Sequence, residues 1–395
     1  MIAAPTFIRA MPADSVAVAL VDLLPGDLLV GGAVVAEPVK AGHKVALRAH
    51  ASDEQVIKLG QSIGLASVNI APGHHVHSHN LEFAGKANRD ILGSRIIAPT
   101  SRPASFMGYQ RSDGGVGTRN FIGVLTSVNC SATVARRIAD HFTPERLAAY
   151  PNVDGVVAFS HTSGCGMAKS GRGIDNLRRT IGGYARHPNF AAILLVGLGC
   201  EVNQIDPLLA ASRLVPSDRL QILTIQDAGG TRAAIQTGIA LVQDMLAAAN
   251  MSERTKLSAA NLTLGLQCGA SDGYSALTAN PALGRAADIL VAAGGKVVLS
   301  ETPEIYGAEN LLLERAVSAG VAQTLIEKLD WWEDYAARDG VTLDNNPSPG
   351  NIAGGITTII EKSLGAVAKA GTSALVDVID YAKPIKKPEI GRAHV

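Results

Sequence analysis

Apolar and polar positions change rhythm along the chain. Up to Glu82 the apolar residues come in short Val-rich runs (AVALVDL, LLVGGAVVA, HKVALRA, VIKLG) cut by PGD, GG, AGH and APGHH. Strands that short, with a turn signal about every ten residues, predict a small all-β module over residues 1–82. Residues 83–107 are polar and Pro-bearing, the pattern of a linker. From Gly108 the repeating unit is an apolar run, a glycine turn and an amphipathic stripe. FIGVLTSV leads into Asn129, Cys130 and Ser131, after which Val134, Ile138 and Phe142 recur at helical spacing. Asn129 or Ser131 is placed to cap that helix. VVAFSH, AAILLVGLG and ILTIQD are further strands, with helices near NLRRTIGGYARH, DPLLAASRL and the stripe Ile235, Ile239, Val242 and Leu246. LTLGLQC and KVVLSE repeat the pattern. Continuous apolar strands alternating with such helices predict an α/β body with parallel sheets covered by helices, divided here into segments 108–255 and 256–389.

Ligands of parallel sheets sit beyond the carboxyl ends of the strands. All four cysteines, Cys130, Cys165, Cys200 and Cys268, follow predicted strands. A free cysteine is often only a small buried apolar residue. Four such placements together suit thiolates gathered on iron or zinc, or three of them on an iron–sulfur cluster. The stretch HTSGCGMAKSGRG imitates a phosphate loop, but Ala168 stands where GxxxxGK[ST] needs glycine, so the nucleotide reading fails. What remains is a polar turn presenting His161, Thr162, Ser163 and Cys165. In GYQRSDGGVGTRNF, Arg111, Asp113, Arg119 and Asn120 could clamp a carboxylate through a guanidinium fork; a solvated turn fits the same residues. His75, His77 and His79 alternate, which in a strand puts them on one face as metal ligands would be, or on a plain surface. The Gly- and Asn-rich loops at 268–284 and 345–355 offer Ser271, Asp272, Asn280 and Asn351 to hydroxyls or an ion, and Glu301 and Glu304 follow another strand.

Composition narrows the partners. Lys plus Arg equals Asp plus Glu at 35 each, so no basic footprint for nucleic acid or an anionic membrane exists. No apolar stretch approaches the ~20 residues of a membrane span, and the N-terminus lacks a signal-peptide layout. The expectation is a cytoplasmic protein with reduced thiols; homo-oligomerisation stays open. The final six residues, IGRAHV, read like translated adapter sequence, so residues 390–395 are expected to be non-native.

Taken in order, GHKVAL, VIKLGQSIG and GHHVHSHN resemble a SAF-type (β-clip) module. RSDGGVGTRN, SHTSGCG, RHPNF, VGLGCEVNQI, LQCGASDGYSALTANPALG, SETPEIYGAE, NNPSPGN and EKSLGAVAKAG resemble the body of the altronate/galactarate dehydratase family, the altronate branch most closely. The resemblance implies a hydro-lyase of hexuronate catabolism that dehydrates a sugar acid such as D-altronate to a 2-keto-3-deoxy acid, with ferrous iron. Galactarate dehydration, sulfolactate sulfo-lyase chemistry and a non-catalytic sugar-acid or metal-binding module are the alternatives. It implies functional positions at His75, His77, Arg119, Asn120, Cys130, His161, Cys165, Cys200, Glu201, Cys268 and Asp272. Ala270 and Ile352 depart from the family pattern, which has glycine and lysine there. Dehydration takes the C2 proton and expels the C3 hydroxyl, so the expectation is iron as Lewis acid, Arg119 on the carboxylate, and His161 with Asp272 or Glu201 as acid and base.

Overall fold

The computed structural model describes residues 5–85, 88–90, 93–385 and 389–393. These fall into two compact units. One comprises the described residues of Met1–Pro103, Leu262–Asp380 and Ile385–Val395; the other comprises Ala104–Asn261 with Tyr381–Pro384.

The N-terminal part of the first unit is all-β, as its turn spacing predicts. Strands β1 (Phe7–Ile8), β2 (Val16–Ala19), β3 (Lys44–Ala46) and β6 (His75–Val76) form one antiparallel sheet in the order β1-β2-β3-β6. Strands β4 (Gln55–Lys58), β5 (Gln61–Ala66) and β7 (Leu81–Glu82) form another in the order β4-β5-β7. The register of β3 on β6 sets Val45 opposite His75.

In the second unit β8 (Ser105–Gln110), β9 (Val116–Gly117) and β14 (Thr255–Ser258) make a small antiparallel sheet. Its main sheet is wholly parallel, from β10 (Phe121–Thr126), β11 (Gly155–Phe159), β12 (Phe190–Gly197) and β13 (Leu220–Thr224) in the order β11-β10-β12-β13. Every residue of β12 is buried, because helices cover both faces. On one face Ile122, Val124, Leu194 and Val196 pack with Val134 and Ile138 of α1 (Ala132–Asp140) and Val242 and Leu246 of α5 (Thr231–Asn250). On the other, Leu125, Ile193 and Leu195 meet Ile181 of α3 (Arg172–Ala185) and Leu208 of α4 (Ile205–Ser212). Between α1 and β11 lies the single turn α2 (Pro144–Leu147). Ser131 precedes α1 but does not cap it: its hydroxyl donates to Val128 O and Val196 O.

The remaining strands complete the first unit. They are β15 (Thr263–Leu266), β16 (Lys296–Leu299), β17 (Leu375–Ile379) and β18 (Glu389–Ala393), parallel in the order β15-β16-β18-β17. With them come α6 (Ala279–Ala292), α7 (Asn310–Leu313), α8 (Ala319–Ala337), α9 (Pro349–Ala353) and α10 (Ile359–Ala368). One core joins Val56, Ile63 and Val76 of the N-terminal sheets to Val297, Leu325, Ile359 and Leu364, so the β module and the later segments bury a common surface. The tail residues 390–393 thus lie in a paired strand, while His394 and Val395 lie outside the described residues.

Candidate active site

The second unit separates the predicted residues into two groups. Cys130, Cys165 and Cys200, all exposed, follow the carboxyl ends of β10, β11 and β12. Their loops are laced together: Asn129 N donates to Ser163 O, Asn203 N to Gly164 O, and Asn203 Nδ2 to Ser127 O. Glu201 belongs to this lacing. It is 3% exposed and accepts from Ser127 Oγ at 2.7 Å and from the N–H groups of Leu198 and Gly199. Burial pushes its carboxyl upward, but those donors outweigh it and hold the group below the usual range. His161 is used on both nitrogens, Nε2 toward Thr126 O and Nδ1 accepting from Ser163 N. Burial keeps its pKa below the ordinary value. Neither side chain has a free position toward a substrate.

Arg111, Arg119 and Asn120 lie at the opposite edge, where β10 begins. Six residues of β10 at about 3.3 Å each separate the edges by about 20 Å. Arg111 is 7% exposed, and its guanidinium donates to Pro188 O, Asn120 Oδ1 and Arg119 O. Asn120 is fully buried and donates to Asn152 O and Ala249 O. These two brace the turn; the fork predicted for a carboxylate is occupied by the protein's own carbonyls. Arg119 is exposed, and its backbone is held by Asn189.

In the first unit a different group converges. His75, His77 and His79 do gather, although β6 ends at Val76: the His75 ring centroid is 5.1 Å from His77 and 5.4 Å from His79. His43, entering β3, joins them. Its Nδ1 lies 3.0 Å from His75 Nε2, and its Nε2 is 3.1 Å from Ala353 O. His77 Nε2 is 2.9 Å from Ile352 O. The carbonyls require N–H at those outer nitrogens, which leaves the Nδ1 lone pairs of both rings free to accept. Burial, then the neighbouring imidazoles His77 and His43, push the His75 pKa down to about 3, so that ring is neutral at pH 7.

Three segments complete the lining: the loop after β15, the turn after β16 and the 345–355 loop. Cys268 Sγ is 3.5 Å from Ser271 Oγ, and Asn351 Nδ2 donates to Ser271 O. Asp272 is exposed; its Oδ1 accepts from Tyr274 N, Ser275 N and Ser275 Oγ, which fixes the carboxylate and leaves Oδ2 open. Glu301 sits at φ +62°, a strained angle for a non-glycine residue, and accepts from Cys268 N at 2.5 Å. The loops reach the histidines by backbone contact that only glycine permits: a Cβ on Gly273 would lie 1.9 Å from Gly42 O, and one on Gly355 2.2 Å from it. Ala270 has no positive φ, so its replacement of glycine strains nothing. Ile352 contributes its carbonyl to His77, which any residue supplies.

Beneath this site lies a buried charge cluster that sequence reasoning missed. Lys44 Nζ donates to Gly355 O at 2.6 Å and Glu361 at 2.9 Å, and Lys58 Nζ meets Glu361 at 2.5 Å. Glu361 also accepts from Thr357 N and Oγ1. Burial lowers Lys44 to about 8 despite the opposing attraction of Glu361. His43 was missed as well; its one signal is the GHK turn shared with the family resemblance.

Three family models tile the chain. They describe the altronate/galactarate dehydratase SAF domain (residues 5–84), the D-galactarate dehydratase/altronate hydrolase second domain (residues 108–250) and the D-galactarate/altronate dehydratase C-terminal region (residues 259–392). The chain belongs to the D-galactarate/altronate dehydratase family. Among its relatives in that family is an altronate dehydratase of Escherichia coli (strain K12), 37% identical over 97% of this chain and 77% of the relative. An altronate dehydratase of Bacillus subtilis (strain 168) is 34% identical over 96% of this chain and 77% of its own. The galactarate dehydratase (L-threo-forming) of E. coli is 34% identical over 94% and 74%. No helix among the described residues is long and apolar enough to cross a membrane.

The iron expected of the family meets an incomplete ligand set. Among the described residues no three His, Cys, Asp or Glu side chains are grouped to hold a metal ion. Three of the four thiols belong to the second unit and Cys268 to the first. The better fit is the His43–His75 pair: two imidazole nitrogens 3.0 Å apart, with the outer nitrogen of His43 on a carbonyl as metal-bound histidines usually have it.

Proposed function

We propose that this chain is a sugar-acid hydro-lyase acting on D-altronate, with its reaction centre in the first unit. The observation that carries the reading is the junction of the His43–His75 pair with the 268–275 and 351–355 loops at the carboxyl end of the β15–β16 sheet. His43 and His75 would hold a divalent ion such as ferrous iron. Bound there, iron would supply Lewis-acid polarisation of the substrate carboxylate and a neighbouring hydroxyl.

The chain's own groups divide the proton chemistry. Asp272 Oδ2, on a carboxylate anchored through Oδ1, takes the proton from C2. His79, exposed beside His75, returns a proton to the departing C3 hydroxyl, and the resulting enol becomes the ketone. Ser271 orients a substrate hydroxyl, while Asn351, expected to do the same, has its amide engaged: Oδ1 accepts from Ser348 N and Oγ, and Nδ2 donates to Ser271 O, which holds the loop in place. His161, Glu201, Arg111 and Asn120 have no part in this scheme, because their polar atoms are already engaged. An iron–sulfur cluster is not part of it either, since it needs three grouped thiolates.

The test is anaerobic incubation of the iron-loaded chain with D-altronate, galactarate and sulfolactate, scored for 2-oxo acid. Altronate turnover that is lost in Asp272→Asn, with iron retained, supports the assignment. Iron that survives His43→Ala with His75→Ala, but disappears in a Cys130, Cys165 and Cys200 triple Ser variant, would move the centre to the second unit.

A further inference from the structure

Among the described residues, the buried and half-buried cations of the first unit meet a carboxylate or several carbonyls, and Lys369 has the fewest partners. Lys44 and Lys58 share Glu361, Lys362 faces Glu304 at 3.1 Å, and Arg89 meets Glu309 at 2.8 Å. Arg315 places its guanidinium on Leu311 O, Gly371 O and Ser373 O. Lys369, just past α10, is 6% exposed. Its ammonium makes a single hydrogen bond, to Gln267 O at 3.1 Å, and no carboxylate pairs with it among the described residues. An ammonium carries three N–H donors, and a buried charge without a countercharge is costly. Such a group is stabilised by an anion from outside.

The place of Lys369 says which anion. Gln267 follows β15 at its carboxyl end and precedes Cys268, so the ammonium reaches the loop that carries Ser271 and Asp272. The arginines expected to clamp a carboxylate belong to the other unit, one of them braced on carbonyls. We infer that Lys369 is the residue that binds the substrate carboxylate, which deepens the dehydratase reading above and rests on it. One unpaired buried ammonium answers one carboxylate. The site therefore suits an aldonate, charged at one end, better than an aldarate charged at both.

The experiment uses the full iron-loaded chain with D-altronate and its neutral carboxamide, altronamide. Binding is followed by tryptophan fluorescence, and turnover by 2-oxo acid formation. Wild type should prefer the acid by about 10–100-fold, the range of a charge-assisted hydrogen bond. Lys369→Met should bring the acid-to-amide ratio near one with amide affinity unchanged, and Lys369→Arg should retain part of the preference. If Lys369→Met does not fold, Lys369→Gln, which keeps a donor for Gln267 O, carries the same comparison. A ratio unmoved by loss of the charge, or equal weakening of acid and amide, overturns the assignment of Lys369 alone. Wild type that forms no 2-oxo acid from any sugar acid overturns the dehydratase reading and this inference with it.

Discussion

Glu361→Gln should destabilise the first unit severely, and the size of the effect follows from its surroundings. The carboxylate lies 2.9 Å from Lys44 Nζ and 2.5 Å from Lys58 Nζ, and the three side chains are at most 2% exposed. At an effective dielectric of about 20 each contact supplies roughly 6 kcal/mol of attraction, set against several kcal/mol of lost hydration for each of the ions. Glutamine preserves the volume and an acceptor for Thr357, but leaves two buried ammoniums with no countercharge. The expected cost is about 3–5 kcal/mol, a large fraction of the ~5–15 kcal/mol that holds a domain folded. Urea unfolding of the full chain measures it, with exposed Glu253→Gln as a control expected within about 0.5 kcal/mol of wild type. The pH dependence gives a second handle. Burial would raise the Glu361 carboxyl, but Lys44 and Lys58 outweigh it and hold the group far below the ordinary range. Below the unfolded value of about 4.3 the unfolded chain binds a proton that the folded one does not. The stability from Glu361 is therefore complete above that pH and is lost as pH falls. The gap between wild type and Glu361→Gln should narrow from pH 5 toward pH 3. A gap under 1 kcal/mol at pH 7, or one that does not change with acid, would refute the reasoning.

Other outcomes test the site and its frame. Gly273→Ala drives a methyl carbon to 1.9 Å from Gly42 O, so the loop must withdraw from the histidines; turnover should fall at least about 100-fold, the scale of a 1 Å misplacement, read from kcat on altronate. Arg111→Met leaves Asn120 Oδ1 and two carbonyls unsatisfied and should cost about 2–4 kcal/mol in urea unfolding while KM stays unchanged; a raised KM would restore the carboxylate clamp. His43→Ala should strip iron from the anaerobically loaded chain, measured by metal analysis, with far-UV circular dichroism unaltered.

The fold was legible wherever burial is local in sequence. The run FAAILLVG announces a strand covered on both faces, and β12 is buried at every position. The α1 stripe of Val134 and Ile138 meets the sheet as spaced. The strand order was not legible: β15 and β16 read like the earlier strands but pair in a separate sheet with β17 and β18, which only long-range pairing decides. The alternating histidines signalled themselves, whereas His43 arrives through the β3–β6 register, 32 positions away. Arg111 illustrates the limit of spelling. A glycine-rich cationic turn is written the same way whether it grips a ligand or its own chain; here Pro188 O and Asn120, brought near by folding, take up the Arg111 donors. Lys44 and Lys58 look like solvent positions in short strands, and their burial depends on a glutamate some three hundred residues later.

That distance has a biosynthetic consequence. The imidazoles are translated first, and the loops they anchor on are translated only after the whole second unit, Ala104–Asn261, has emerged. A nascent N-terminal module therefore exposes Lys44, Lys58 and the apolar positions Val56 and Ile63 until residues 353–361 arrive to cover them. The candidate site is closed by the two ends of an interrupted unit, so it is complete only when segments made at the start and near the end of synthesis have met.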